Sequence, residues 1–325
     1  MLGPLIVCYL FLGGLGAGAC CVLAVLGLLT PRECLTTPRE PGRTSRQRRA
    51  VLCVPHSYRR FFAPSYTAAL IALVLGAVCL LADVGRADRL LLLLVSPSFS
   101  FLAVGAWALV VCAVLALVCV LVWGGYARVL SFMFVQVLEV VLALVALAVM
   151  TYAGLLLQSL RAVPLWATPW LPVLFVLSAL SCGAALVLAT SPFSGSAQTF
   201  RSVLRRLALA DVLVIVLEAA TTAAFLVTAL SGGSGGECAD TATAHALAAS
   251  AQTLAFGEGS WVFWGGFVLV GLVIPLVLDC VFARLRRPCP PLALATAACV
   301  LVGGFALRYC VVEAGLHPLI AMATG

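Results

Sequence analysis

Eight separate apolar runs, each about twenty residues long or more, leave this chain with one class of fold. They lie at 4–29, 66–83, 101–123, 130–158, 169–190, 205–230, 261–284 and 291–312. A run of that length crosses the hydrocarbon of a bilayer as a helix, because a helix satisfies its own backbone groups where no water can. The reading is an all-α, polytopic membrane protein with eight transmembrane helices, forming a single domain over 1–325. Composition points the same way, since 64% hydrophobic residues, 10% charged residues and a mean hydropathy of +1.18 exclude a soluble globule with a polar surface. The first positive charge is Arg32, after the first run, so that run reads as a membrane anchor and not as a secretory leader.

The basic residues set the orientation. All nineteen are arginine, and fifteen fall on one side of the membrane if the eight runs alternate. Eight precede the second run, from Arg32 to Arg60; the others are Arg128, then Arg201, Arg205 and Arg206, then Arg284, Arg286 and Arg287. The opposite side holds Arg86, Arg89, Arg161 and, near the end of the last run, Arg308. The positive-inside rule makes the arginine-rich side cytoplasmic and both termini outward in a cell membrane. The net charge of +7 is thus a matter of topology and lipid contact, with no nucleic acid implied.

Redox groups of the chain's own are not expected. A b-type haem needs histidines inside helices, and His56, His245 and His317 all fall outside the eight runs. Fourteen cysteines are scattered without a Cys-x-x-Cys pair, so no iron–sulfur or other metal site is expected, and most read as small packing residues. Cys238 and Cys310 share the outward side, and their pairing stays open. The loop at 30–65 is rich in arginine and proline and reads as largely irregular. The outward loop 231–260, with Gly232-Gly-Ser-Gly-Gly236, reads as flexible.

Several stretches carry a family likeness. Asp83-Val-Gly-Arg86-Ala-Asp-Arg89, followed by Ser100 and Gly105-Ala-Trp107, resembles the Asp-Leu-Gly-Arg-Pro-x-Arg signature and following helix of the NrfD/polysulfide-reductase (PsrC-like) membrane subunits, with Val84 for Leu and Ala87 for Pro. Tyr9-Leu-Phe-Leu-Gly13-Gly14-Leu resembles that family's opening helix. Tyr152-Ala-Gly-Leu-Leu, Val163-Pro-Leu-Trp166 and Leu171-Pro-Val-Leu-Phe-Val-Leu-Ser178-Ala-Leu-Ser181-Cys-Gly-Ala-Ala185 follow its middle helices almost residue for residue. Phe263-Trp-Gly-Gly266 to Gly271-x-x-x-Pro275 resembles its penultimate helix.

The resemblance implies an eight-helix subunit built as two four-helix bundles. It implies a membrane anchor for a respiratory molybdopterin oxidoreductase complex. Electrons would pass between quinone, such as menaquinone, and a ferredoxin-like iron–sulfur subunit on the outer face, beside a molybdopterin catalytic subunit. Whether the chain oxidises quinol itself or only anchors the complex stays open, and a secondary transporter using buried acids is the rival reading. Candidate quinone contacts are Tyr9, Trp107 and Tyr152, each roughly 8–9 Å in from the outer end of its span by helical rise, with Asp83 and Arg86 at the rim. Candidate proton-path residues are Glu139, Asp211, Glu218 and Asp279, because carboxyl groups at such depth are costly unless protonated, paired or hydrated. By the same rise Asp211 and Asp279 are expected about 8 Å from the cytoplasmic ends, and Glu139 and Glu218 near the midplane.

Overall fold

A computed structural model describes residues 4–31, 54–84, 101–126, 132–159, 163–195, 198–231, 241–257, 259–285 and 289–324. Its spanning helices are α1 (Pro4–Leu28), α2 (His56–Val84), α3 (Phe101–Trp123), α4 (Phe132–Ser159), α5 (Trp170–Thr190) and α6 (Arg201–Leu230). After a shorter helix α7 (Thr241–Phe256) come α8 (Val262–Arg284) and α9 (Pro290–Thr324). Eight of these are long and apolar enough to cross a membrane, so the chain is a multi-pass membrane protein, and no strand occurs among the described residues.

Two rings of helices are closed by packing. Helices α1, α2, α3 and α4 form one, each touching the next; α5, α6, α8 and α9 form the other. The rings meet chiefly where α5 lies against α1 and α4, and α9 also touches α1. Burial follows: 72% of the apolar window of α5 and 61% of that of α1 lie inside, against 33% for α3, α4, α6 and α8. The peripheral helices therefore keep large apolar side chains outward, such as Val114 and Leu117 on α3 and Leu213 and Val216 on α6, where lipid replaces water.

Small residues set the depth of packing. Apolar side chains gain little from leaving lipid for protein, so association in a bilayer relies on close van der Waals approach. Gly16 of α1 faces Leu73 and the Ala69 carbonyl of α2, leaving no room for a Cβ. On the other side of α1, a Cβ on Gly18 would fall on the Ala179 backbone of α5, and one on Gly183 of α5 would fall on the Gly18 backbone. Gly271 of α8 and Gly303 of α9 meet in the same way.

Three features depart from the sequence expectations. Helix α2 starts at His56, ten residues before the apolar run. Its first turns bury Phe61, Phe62 and Tyr66, with Phe62 stacked on Trp123 at 4.0 Å and Phe61 on Phe200 at 4.8 Å, while Arg59 and Arg60 stay exposed. The loop 231–260 holds helix α7, packed against α9 and α6; residues 232–240, with the Gly-Ser run and Cys238, lie outside the described residues. Finally, Val262–Val273 of α8 is π-helical, ending just before Pro275. A proline there lacks an N–H and its ring would press on the carbonyl four residues back, so a wider turn upstream relieves the crowding.

Candidate functional site

Polar groups inside so apolar a bundle are few, and they gather in three places. The first lies towards the side that carries both termini. Tyr9 of α1 and Tyr152 of α4 are buried neighbours in the first ring. Gly13 faces the Tyr9 ring, where a Cβ would stand 3.7 Å from Cε2, and Gly105 of α3 presses directly on the Tyr152 ring. The two phenols thus lie side by side, packed against glycine backbone near Leu109. Trp107, two residues beyond Gly105, is 50% exposed and turned away from the pair. Asp83 is part-exposed at the end of α2, whereas Arg86 lies outside the described residues.

The second place is centred on a residue the sequence reading used only as a topology marker. Arg308 of α9 is 1% exposed, among the largest fully buried side chains of the protein. Its Nε donates to the Leu10 carbonyl of α1 at 3.1 Å, and its Nη1 donates to Ser178 Oγ of α5 at 3.2 Å and to Gly304 O at 2.7 Å. The rings of Phe11 and Phe175 lie 5.8 and 5.4 Å from the guanidinium carbon. Gly14 leaves the space that the Nη2 end requires. One charge is thereby shared among α1, α5 and α9, across the seam between the rings.

From this arginine a line of polar groups runs through the second ring towards the arginine-rich side. Ser178 faces Glu218 of α6, and Glu218 lies in the field of Arg308. Farther along, Asp211 of α6 and Asp279 of α8 face each other beside Ser181. All three acids are buried. Both carboxyl oxygens of Asp211, one of Asp279 and Ser181 Oγ find no hydrogen-bond partner among the described residues. At the other end of the line, the Leu10 carbonyl that receives Arg308 belongs to the residue next to Tyr9.

Glu139 stands apart. It lies in the first ring, where Trp123 Nε1 donates to its Oε1 at 3.1 Å, and it closes against Gly27. Trp123 ends α3 and Gly27 nearly ends α1, so this carboxyl sits towards the arginine-rich end, not at the midplane as expected, and outside the Arg308 line. Tyr66 and Cys119 lie near it. Among the described residues no group of three or more His, Cys, Asp and Glu side chains is placed to hold a metal ion, and Cys310 is a free, buried thiol.

Sequence reasoning missed Arg308, Ser178 and Ser181. The signal was present for the arginine: a lone charge inside the apolar run 291–312 costs several kcal/mol in lipid unless the protein supplies partners. The two serines sit three apart on the apolar helix α5 and gave no such warning.

Known proteins share this sequence pattern. The family model described as Polysulphide reductase, NrfD matches residues 1–319. Similar proteins include Protein NrfD of Escherichia coli (strain K12), 30% identical over 185 residues, which are 55% of this chain and 52% of that protein. Another is the C subunit of the polysulfide reductase of Wolinella succinogenes, 31% identical over 181 residues, 55% of this chain and 53% of that protein. The matched part of the chain thus corresponds to about half the length of these curated relatives.

Proposed function

The chain belongs to the Polysulphide reductase, NrfD family, and on that footing we propose that it is the membrane anchor of a respiratory molybdopterin oxidoreductase complex that exchanges electrons with the quinone pool. One relative is named as one component of a polysulfide reductase, which supports a role beside other subunits. In this reading the termini-bearing side faces outward from the cell membrane and receives an iron–sulfur subunit, with a molybdopterin subunit beyond it. Asp83, part-exposed at the end of α2, belongs to the rim on which that partner docks.

The observation that carries the quinone assignment is the buried Tyr9–Tyr152 pair. A quinone head is a flat apolar ring with two carbonyl oxygens, so its site needs close apolar walls and one or two well-placed hydrogen-bond donors. Two phenols from different helices supply the donors, and Gly13 and Gly105 seat their rings. In this role the tyrosine hydroxyls donate hydrogen bonds that orient the quinone oxygens. Trp107 belongs instead to the lipid-facing belt. A photoreactive quinone analogue added to the purified complex is expected to label α1 at Tyr9 and α4 at Tyr152, with excess quinol suppressing both. Labelling confined to α6, α8 or α9 would move the site to the second ring.

The Asp279–Asp211–Glu218–Arg308 line supports a proton path that ends beside Tyr9, with Ser181 and Ser178 as intermediate hydroxyls. Glu218→Gln is expected to leave quinol oxidation within about twofold of the parent while reducing the pH gradient built per electron in vesicles severalfold. Glu139→Gln, off the line, is expected to leave that gradient unchanged. Equal gradients in the parent and Glu218→Gln complexes would remove the path.

A further inference from the structure

A second ligand site lies at the opposite end of the molecule and rests on none of the quinone reading. Around the start of α6, Gln198, Thr199 and Ser202 join Arg201, Arg205 and Arg206 in lining a pocket of about 570 Å³, with Leu209 on its far side. We propose that this pocket binds the phosphate headgroup of an anionic phospholipid whose acyl chains lie along α6.

Charge comes first. The three arginines are exposed, and among the described residues none has an acidic partner. Arg201 is fixed by its Nη2, which donates to the Leu285 carbonyl at the end of α8 at 3.1 Å. Arg205 stands one turn above Arg201, and Arg206 one turn above Ser202, so the guanidiniums converge from two adjacent rows of the helix. The backbone adds to this. The N-cap of α6 is Phe200, which makes no side-chain cap bond, and the Arg201 N–H donates to the Gln198 carbonyl at 3.4 Å, so the backbone contribution falls to the N–H groups of Ser202 and Val203. Guanidiniums, hydroxyls and an uncapped helix start together select phosphate oxygens.

A soluble phosphate would satisfy those groups alone, but the surface continues. Beyond Leu209, at 48% exposure, the same face of α6 shows Leu213, Val216 and Leu217 at 61, 48 and 47%. These positions recur at intervals of three and four, giving an apolar stripe that runs from the pocket into the depth of the spanning helix. A ligand with a phosphate at one end and hydrocarbon at the other matches the full surface. Basic recesses between helices at the membrane surface are suited to such headgroups.

The full chain, purified in a nonionic detergent and placed in nanodiscs of phosphatidylcholine doped with phosphatidylglycerol, is expected to retain phosphatidylglycerol in native mass spectra after release from the disc. Arg205→Gln/Arg206→Gln is expected to lower that retention by at least about tenfold, while Arg205→Lys/Arg206→Lys keeps most of it. Arg59→Gln, on the same side but stacked 5.7 Å from Tyr126 in the first ring, is expected to behave as the parent. Leu209→Gln is expected to weaken lipid retention without altering binding of inorganic phosphate. Parent-like retention in the double glutamine variant, or an equal loss in Arg59→Gln, would overturn the site. Inorganic phosphate bound as tightly as the lipid, with Leu209→Gln affecting neither, would make it a free-anion pocket and overturn the lipid assignment. Should the double variant fail to purify, Arg205→Gln and Arg206→Gln are read singly, each expected to lose about threefold, and parent-like retention in both overturns the proposal.

Discussion

Leucine at Gly18 or at Gly183 is expected to abolish the assembled protein. These glycines meet where α1 crosses α5, and a Cβ on either would occupy the backbone of the other helix. Overpacking in a core usually costs about 1–3 kcal/mol because side chains rotate away. Backbone atoms have no such freedom, so the two helices must separate along their whole contact. That contact joins the two rings and seats Arg308, so its opening is expected to exceed the roughly 5–15 kcal/mol that holds a typical native state. Size-exclusion chromatography of a fluorescent fusion checks this: the monodisperse peak should fall below about a tenth of the parent in both variants. Gly265→Leu is the control. A Cβ at Gly265 meets nothing within 4 Å, and that variant should elute as the parent does.

Arg308→Leu carries the second largest effect. The leucine removes three hydrogen bonds, to the Leu10 carbonyl, Ser178 and the Gly304 carbonyl, and takes away the positive charge in whose field Glu218 lies. Hydrogen bonds to a charged group contribute about 1.5–3 kcal/mol each. A net loss of at least about 3 kcal/mol follows, which for a chain of this size lowers the melting temperature by roughly 6 °C or more. Arg308→Lys should recover little of it, since an ammonium reaches one or two of these partners and lies less well between two aromatic faces. Thermal unfolding in detergent gives the values directly. A melting temperature unchanged in Arg308→Leu would show that the guanidinium is not what joins α1, α5 and α9.

Much of the architecture was legible because a bilayer imposes length on apolar runs. Six of the eight expected spans begin and end within a few residues of the observed helices, and a seventh starts with α9, which runs on to Thr324. The eighth, α2, begins early because its first turns are aromatic and arginine-bearing. Their buried face packs on Trp123 and Phe200 while the charges reach outward, so average hydropathy hid a regular helix. Helix α7 was overlooked for a different reason. The Gly-Ser run before it drew attention from Ala242 to Ala255, a stretch whose many alanines favour helix.

The polar interior was read less well, and the reason is physical. Linear depth along a helix gives no information about which ring a residue faces. Glu139 and Glu218 were placed together by depth, yet the first is tied to Trp123 in one ring and the second faces Ser178 in the other. Trp107 and Tyr152 were grouped by the same measure, although two residues on α3 separate the wall at Gly105 from the lipid-facing Trp107. Arg308 was counted with the outward arginines because a charge near a helix end usually marks the membrane edge. Its burial depends on Gly14, whose missing side chain makes room for it, and on partners from α1 and α5, so it is a property of three helices together.

Quinol oxidation by the reconstituted complex, followed in stopped flow with Tyr9→Phe, Tyr152→Phe and the double variant against the parent, tests the tyrosine-pair site most directly. Loss of one hydrogen bond to the quinone oxygen should slow turnover by about five- to thirtyfold in each single variant, and the double variant should be slower still, with the amount of assembled complex unchanged. Trp107→Phe should oxidise quinol at the parent rate. A double variant that matches the parent, in an intact complex, would contradict the assignment of this pocket to quinone.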